Sequence, residues 1–201
     1  QAAGVGLPGL VSNKTGMVIK TTNMPFYNTP FREIFQEDLK IPVYLGNDAD
    51  CAAVGEYWAG SAKGFDPALV ITLGTGIGSG MVRGGKLYMI IHPNGVRCGC
   101  GNLGCWEQYG SATALVRLTR EEMEYNRDSM LWQLCDGDTR KLEGRTTFQA
   151  VREGDATARK ALDRYLEGLS MGLINLVNVL FPEIVCLGGG ISNADDDLLL
   201  N

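Results

Sequence analysis

Cys98-Gly99-Cys100-Gly101-Asn102-Leu103-Gly104-Cys105 places three thiols at C-x-C-x4-C, with three glycines to bend the chain between them. Thiols so spaced can converge on one tetrahedral ion, and thiolates suit Zn²⁺, which needs no redox role. The plainer alternative is three small hydrophobes in a glycine-rich loop, which this spacing would pack poorly. Spacing leaves the fourth ligand open. His92, the only histidine, lies six residues before Cys98 and is the local candidate. Glu107 comes two residues after Cys105, so a metal at the cysteines would fix its position. Otherwise it is a solvated acid at a helix start, where the helix dipole favours it.

Three further groups could do chemistry. In Gly74-Thr75-Gly76-Ile77-Gly78-Ser79-Gly80, backbone N–H groups and the Thr75 hydroxyl could cradle phosphate oxygens. No Lys-Ser or Lys-Thr follows, and the spacing is not G-x-G-x-x-G, so on its own a hairpin turn is the simpler reading. Asn47-Asp48 falls where a strand gives way to a helix. A carboxylate there is either an N-cap or a general base at the strand's carboxyl end, where α/β proteins bind ligands. Gly188-Gly189-Gly190 after a strand could admit a nucleotide base or ribose to the backbone, or form a turn.

The positioning elements follow from pattern. A strand end runs through 4–11 into a Pro8-Gly9 turn, 17–19 is a short strand and 21–30 is loop. A short helix over 30–39 carries Phe31, Ile34 and Phe35 on one face, and 42–45 is a strand. A small-residue helix over 49–59 lets Ala52, Ala53 and Trp58 pack closely. Residues 68–73 read as a buried strand, followed by a glycine-rich hairpin. A helix is expected over 106–123, then a weakly patterned polar stretch to 147. The clearest helix is 155–180, where Ala158, Ala161, Leu162, Tyr165, Leu169, Leu173, Leu176, Val177 and Leu180 keep 3.6-residue spacing behind Asp155 as N-cap. A strand over 184–187 completes an alternation of strands and helices that predicts an α/β layered fold.

Composition narrows the function. Eighteen basic against 23 acidic residues give a net charge of −5, with no Lys/Arg cluster, so nucleic-acid binding by these residues is not expected. Glycine, 27 of 201, is about twice the usual roughly 7%, and it clusters in the loops just described. Residues 171–181 are apolar but too short for a bilayer and carry Asn175 and Asn178, so no membrane association is expected. Six cysteines without a basic-then-apolar leader predict reduced thiols and a cytoplasmic protein. The chain starts at Gln1 and stops as a helix begins, which reads as a fragment.

Taken in order, Asn-Asp at a strand end, a strand–LGTGIGSG–strand hairpin, CGCGNLGCWE and a late LGGGIS resemble the ROK family of sugar kinases and sugar-responsive repressors. The resemblance spans essentially the whole chain. Its most specific part is Cys98–Glu107, similar to the family's zinc signature C-x-C-G-x-x-G-C-x-E, and the chain is most similar to the family's bacterial glucokinases. It implies an actin/hexokinase-like (ribonuclease H-like) fold of two α/β domains, with sugar and ATP in the cleft between them. Residues 1–60 would be the remainder of the N-terminal domain, and 61–201 the larger C-terminal domain with its zinc loop at 95–107. The implied reaction is ATP-dependent phosphorylation of glucose to glucose 6-phosphate. Asp48 matches the general base that takes the C6 hydroxyl proton, with Asn47 and Glu107 as sugar ligands and Gly9 and Asn23 near the sugar. Gly74, Thr75 and Gly76 match a phosphate-binding turn, and Gly188, Gly189 and Gly190 the adenosine side. Mg²⁺ would accompany ATP. Zn²⁺ on Cys98, Cys100 and Cys105 would be structural, holding the loop that carries Glu107. A homodimer is the family's common state. The alternatives are a kinase for N-acetylmannosamine, N-acetylglucosamine, allose or fructose, or a ROK repressor; a bare zinc-binding interaction module ranks third.

The chain also departs from the family pattern. An Asp-x-Gly-Gly-Thr phosphate loop, helices after the late glycines, and a Gly-Glu-x-Gly-His segment between Tyr88 and Met89 do not occur. That last segment supplies a sugar-binding Glu and the zinc-binding His in the family, and His92 falls at a different, non-ligand position. The expectation is that the natural polypeptide carries these segments, with an intact mass above that of the 201 residues; failing that, His92 is the remaining fourth ligand.

Overall fold

A computed structural model describes residues 1–21, 24–82, 85–86 and 89–193; Asn23 lies outside the described residues. β1 (Ala3–Leu7) runs into the Pro8-Gly9 turn, where Gly9 has φ +94° and an added Cβ would stand 2.4 Å from the Lys20 carbonyl oxygen. Both the backbone angle and the close approach require glycine. β2 (Leu10–Ser12), β3 (Met17–Lys20) and β4 (Tyr27–Thr29) form an antiparallel sheet in that order. β4 lies in the stretch read as loop: three half-polar residues carry no pattern, and pairing with β3 alone makes them a strand.

α1 (Phe31–Leu39) buries Phe31, which stacks on Phe35 and meets Phe26 edge-on, both at 5.0 Å. Ile34, expected on that face, is 47% exposed. β5 (Val43–Asn47) pairs parallel with β1, Leu7 opposite Asn47, so both strands deliver their last residues to one edge. α2 (Asp48–Ala59) starts there. Its buried face is Ala49 and Ala53; of the expected trio Ala53 is buried and Ala52 half-buried, but Trp58 is 74% exposed.

The larger sheet has the order β8-β7-β6-β9. β6 (Ala68–Leu73) is the buried centre, β7 (Ile77–Val82) returns antiparallel, and β8 (Gly85–Lys86) is a short edge. α2 lies against β7, where a Cβ on Gly78 would come within 2.7 Å of the Ala49 Cβ, and one on Gly80 within 2.6 Å of the Ala53 Cβ. Part of the glycine run is therefore a packing surface that lets the helix lie close to the sheet.

The helix expected over 106–123 is two helices, α3 (Glu107–Gly110) and α4 (Ala112–Tyr125). Ser111 takes an extended conformation between them, and its hydroxyl caps α4 by accepting from the Ala114 N–H at 3.1 Å. α5 (Leu131–Leu134) and α6 (Gly144–Arg152) occupy the stretch read as weakly patterned. α7 (Ala156–Leu180) matches its expected span, with the Asp155 carboxylate accepting from the Ala158 N–H at 2.8 Å. β9 (Ile184–Gly188) pairs parallel with β6, Thr72 opposite Gly188. The main core lies between this sheet and α4, α6 and α7, around Leu69, Ile71, Leu115, Phe148, Leu162 and Tyr165. Among the described residues no helix is long and apolar enough to cross a membrane.

Two features of this core give testable consequences. The Tyr165 hydroxyl is buried and meets no hydrogen-bond partner among the described residues, and burial pushes the phenol pKa up. An unmade buried hydrogen bond costs about 1–3 kcal/mol. Tyr165→Phe is therefore expected to leave stability unchanged or raise it in urea titration; a loss beyond about 1 kcal/mol would mean that the hydroxyl has a partner.

Glu122 on α4 is nearly buried and receives Lys160 Nζ at 2.8 Å and Arg164 Nη1 at 2.7 Å from α7. Burial pushes its carboxyl up, but the two cations outweigh it and hold the pKa below the ordinary 4.5. A lowered native pKa means that the ionised form stabilises the fold. That contribution is complete above about pH 4.5 and is lost as pH falls through the lowered native value. Glu122→Gln is expected to flatten the acid limb of a stability–pH curve; an unchanged limb would assign it to other carboxylates.

Candidate active site

At Asn47-Asp48 the capping side chain is the amide and not the carboxylate. Asn47 is the cap: its Oδ1 accepts from the Ala49 N–H at 3.1 Å and the Asp50 N–H at 3.3 Å. Its Nδ2 donates to the Gly9 carbonyl at 3.1 Å and the Leu7 carbonyl at 3.4 Å. One buried amide thus ties the β1 end and the Gly9 turn to the start of α2. Asp48 is left as the first residue of α2, exposed, with one oxygen 3.0 Å from the Ala49 N–H. Its carboxylate opens to solvent at the edge where β1 and β5 end.

Two backbone bonds, from Cys98 N–H to the Asn102 carbonyl and from Gly101 N–H to the Cys98 carbonyl, fold the cysteine loop. The three Sγ atoms lie within 4.8 Å of one another, Cys100 and Cys105 only 3.5 Å apart. Among the described residues this is the one His/Cys/Asp/Glu group compact enough for a metal ion. Burial, then the Cys100 and Cys98 thiols, push the Cys105 pKa up to about 12. Three crowded thiols cannot all ionise without a cation between them, and three soft donors suit Zn²⁺. His92 is not in the group: its ring packs on Tyr109, centroids 4.7 Å apart.

Glu107 opens α3 immediately beyond this loop. Its Oε1 is 3.7 Å from Cys98 Sγ, and its Oε2 lies where a Cβ on Gly76 would come within 2.3 Å. The carboxylate therefore reaches from the thiols to the β6–β7 turn because residue 76 has no side chain. Neighbouring Trp106 is buried against α7 and donates its Nε1–H to the Gly168 carbonyl at 3.1 Å. A Cβ on Gly172 would stand 2.1 Å from the indole. Gly172→Ala is accordingly expected to cost roughly 1–3 kcal/mol by displacing Trp106, measured by chemical denaturation; no loss would mean that the indole has room to move.

The 74–76 turn is held by one bond of its own and two from the start of α4. Gly74 N–H donates to the Gly76 carbonyl at 3.0 Å, Ala112 N–H to the Gly74 carbonyl at 2.9 Å, and the Thr113 hydroxyl to the Thr75 carbonyl at 2.7 Å. The β6–β9 pairing brings 188–190 alongside, and Gly189, at φ +97°, packs where a Cβ would meet the Leu73 carbonyl oxygen at 2.5 Å. Gly74, Thr75 and Gly190 share a cleft of about 480 Å³, whose other wall is Gly144, Arg145, Phe148 and Arg152 of α6. Gly76 and Gly188 do not line it. The α6 wall escaped the sequence reading; its available signal was the Glu143/Thr146 capping box that starts the helix.

The family model described as ROK family matches residues 1–200. The chain belongs to the ROK family. It is 35% identical to a glucokinase of Thermotoga maritima, over 97% of this chain and 65% of that relative. It thus spans less than two thirds of that protein. A crystal structure of a ROK family glucokinase from Streptomyces griseus, in complex with glucose and AMPPNP, superposes at a TM-score of 0.87 with 32% identity, covering 100% of this chain and 68% of that one. A xylose repressor of Caldicellulosiruptor bescii is 29% identical over 92% of this chain and 49% of its own length. The mixed α/β architecture is accordingly the actin/hexokinase-like fold of ROK glucokinases.

Proposed function

We propose that this ROK chain is the greater part of a hexokinase that transfers the γ-phosphoryl group of ATP to a hexose, glucose before others. One observation carries the reading: three candidate groups meet at the β6–β7 hairpin. Glu107 reaches Gly76, Ala49, next to Asp48, packs on Gly78, and Gly74-Thr75 face the cleft shared with Gly190.

Asp48 is the general base. Its exposed carboxylate takes the C6 hydroxyl proton as that oxygen attacks the γ-phosphorus, which spares the nucleophile a positive charge. Asn47, Gly9 and Glu107 form the sugar side, to which the family resemblance also assigns Asn23, and because the Asn47 amide is already tied to Gly9, it binds sugar as part of that joined edge. The Gly74-Thr75-Gly76 turn receives phosphate oxygens through the N–H groups of Thr75 and Gly76, that of Gly74 being held by the Gly76 carbonyl, and Gly188, Gly189 and Gly190 receive the adenosine. Mg²⁺ brought with ATP supplies charge neutralisation during transfer. Cys98, Cys100 and Cys105 would hold a structural Zn²⁺, keeping the Glu107 loop in register. On this reading the domains divide near residue 60, and the protein works in the cytoplasm, where thiols stay reduced, as a homodimer.

The second reading, a sugar-responsive repressor, is favoured by the likeness to the xylose repressor. A sensor requires neither a base at Asp48 nor the phosphate turn. ADP release by the full-length protein with Mg-ATP and a hexose panel separates the two. Strong release with glucose supports the kinase; release mainly with another hexose reassigns the substrate; none with any sugar favours the repressor.

A further inference from the structure

We infer that Tyr109 is a positioning residue for the sugar site, bracing the cysteine loop against α7 so that Glu107 is fixed from both sides. The inference rests on the reading of Glu107 as a sugar ligand.

Two glycines on separate elements are cut away for this one side chain. A Cβ on Gly95 would meet the Tyr109 hydroxyl at 2.0 Å, and one on Gly168 of α7 would meet the Tyr109 Cβ at 2.7 Å. The phenol accepts a hydrogen bond from the Val96 N–H at 3.0 Å, and the His92 ring packs on its face. The arm that Tyr109 touches leads back to Glu107. The Val96 carbonyl accepts from the Gly104 N–H at 2.8 Å, and the Gly104 carbonyl accepts from the Ile91 N–H at 2.9 Å. Gly104 precedes Cys105, Trp106 and Glu107.

Tyr109 therefore closes a ring: hydroxyl to Val96, Val96 to Gly104, then the chain through Glu107 back to Tyr109. Trp106 anchors the same stretch to α7 on the other side of Glu107. Phenylalanine would keep the ring contacts and the fit against Gly168 but lose the acceptor, leaving the Val96 N–H unpaired. The arm then loses its register while α7 stays packed. Small displacements of a binding group lower affinity even where the chemistry is intact.

The test is Tyr109→Phe in the full-length protein, read by amide hydrogen exchange, by calorimetric glucose affinity and by kcat. The expected result is exchange at 92–98 faster by about tenfold with α7 unchanged, since one hydrogen bond is worth about 1.4 kcal/mol at that ratio. Glucose affinity should fall by about three- to tenfold with kcat within about twofold. Unchanged exchange at 92–98 would overturn the brace. Faster exchange with unchanged affinity would overturn the positioning of Glu107, and equal loss in kcat and affinity would make the effect a general structural one. A wild-type protein that binds glucose but turns none over would sink the kinase reading alone, because affinity still reports the Tyr109 effect.

Discussion

Asp48→Asn is expected to lower kcat by about 10²–10⁴-fold, the range that a positioned general base contributes. The substitution is nearly isosteric and removes only the capacity to accept a proton. Its structural cost is small. Asp48 is exposed, it is not the cap of α2, and its contact with the Ala49 N–H can be kept by an amide oxygen. Losing a charge from the first turn costs about 0.3–1 kcal/mol. Glucose affinity should stay within a few-fold, so the whole effect falls on the chemical step. Steady-state kinetics with a binding titration checks this. Near-normal turnover in the variant would remove Asp48 as the base.

Cys100→Ser is expected to release the metal and to lower both thermal stability and glucose affinity. Cys100 is the exposed member of the trio and sits 3.5 Å from Cys105, so serine leaves the fold's core untouched and acts through ligation. A serine hydroxyl is a far weaker zinc ligand than a thiolate. With the ion gone, the loop is left to its backbone hydrogen bonds and to the Trp106 and Tyr109 contacts, and Glu107 is expected to shift relative to Gly76. A displaced binding group of this kind can cost about 10²-fold. Metal content by mass spectrometry, melting temperature and calorimetric glucose affinity read the three consequences. An unchanged melting temperature, with no zinc in the wild-type protein, would remove the metal assignment.

Legibility in the sequence divides along physical lines. α7 was readable because its apolar spacing runs over 25 residues behind an Asp155 cap, and local periodicity is what a sequence displays directly. The cysteine group is readable because three thiols within eight residues, with glycines between them, can converge without help from distant parts of the fold. The Gly110-Ser111 break, by contrast, lies inside a continuous helical pattern, and the extended backbone of Ser111 and its capping bond from Ala114 reveal it. Trp58 was expected to pack and points to solvent, since Ala49 and Ala53 alone fit the glycines of β7. The contacts that build the site are the least legible. Asn47 reaches Gly9 and Glu107 reaches Gly76 across long separations, and both depend on an atom that is absent at a glycine or a carbonyl brought in by a distant turn.

On the proposed reading, the hairpin shared by Asp48, Glu107 and Gly74-Thr75 carries phosphoryl transfer from ATP to glucose. The most direct measurement of that transfer is ³¹P NMR of the full-length protein turning over Mg-ATP and glucose, with the Asp48→Asn variant beside it. The predicted result is a phosphomonoester on the glucose C6 oxygen, formed one for one with ADP and suppressed in the variant. ADP accumulating without a sugar phosphate, or no reaction at all, would contradict it.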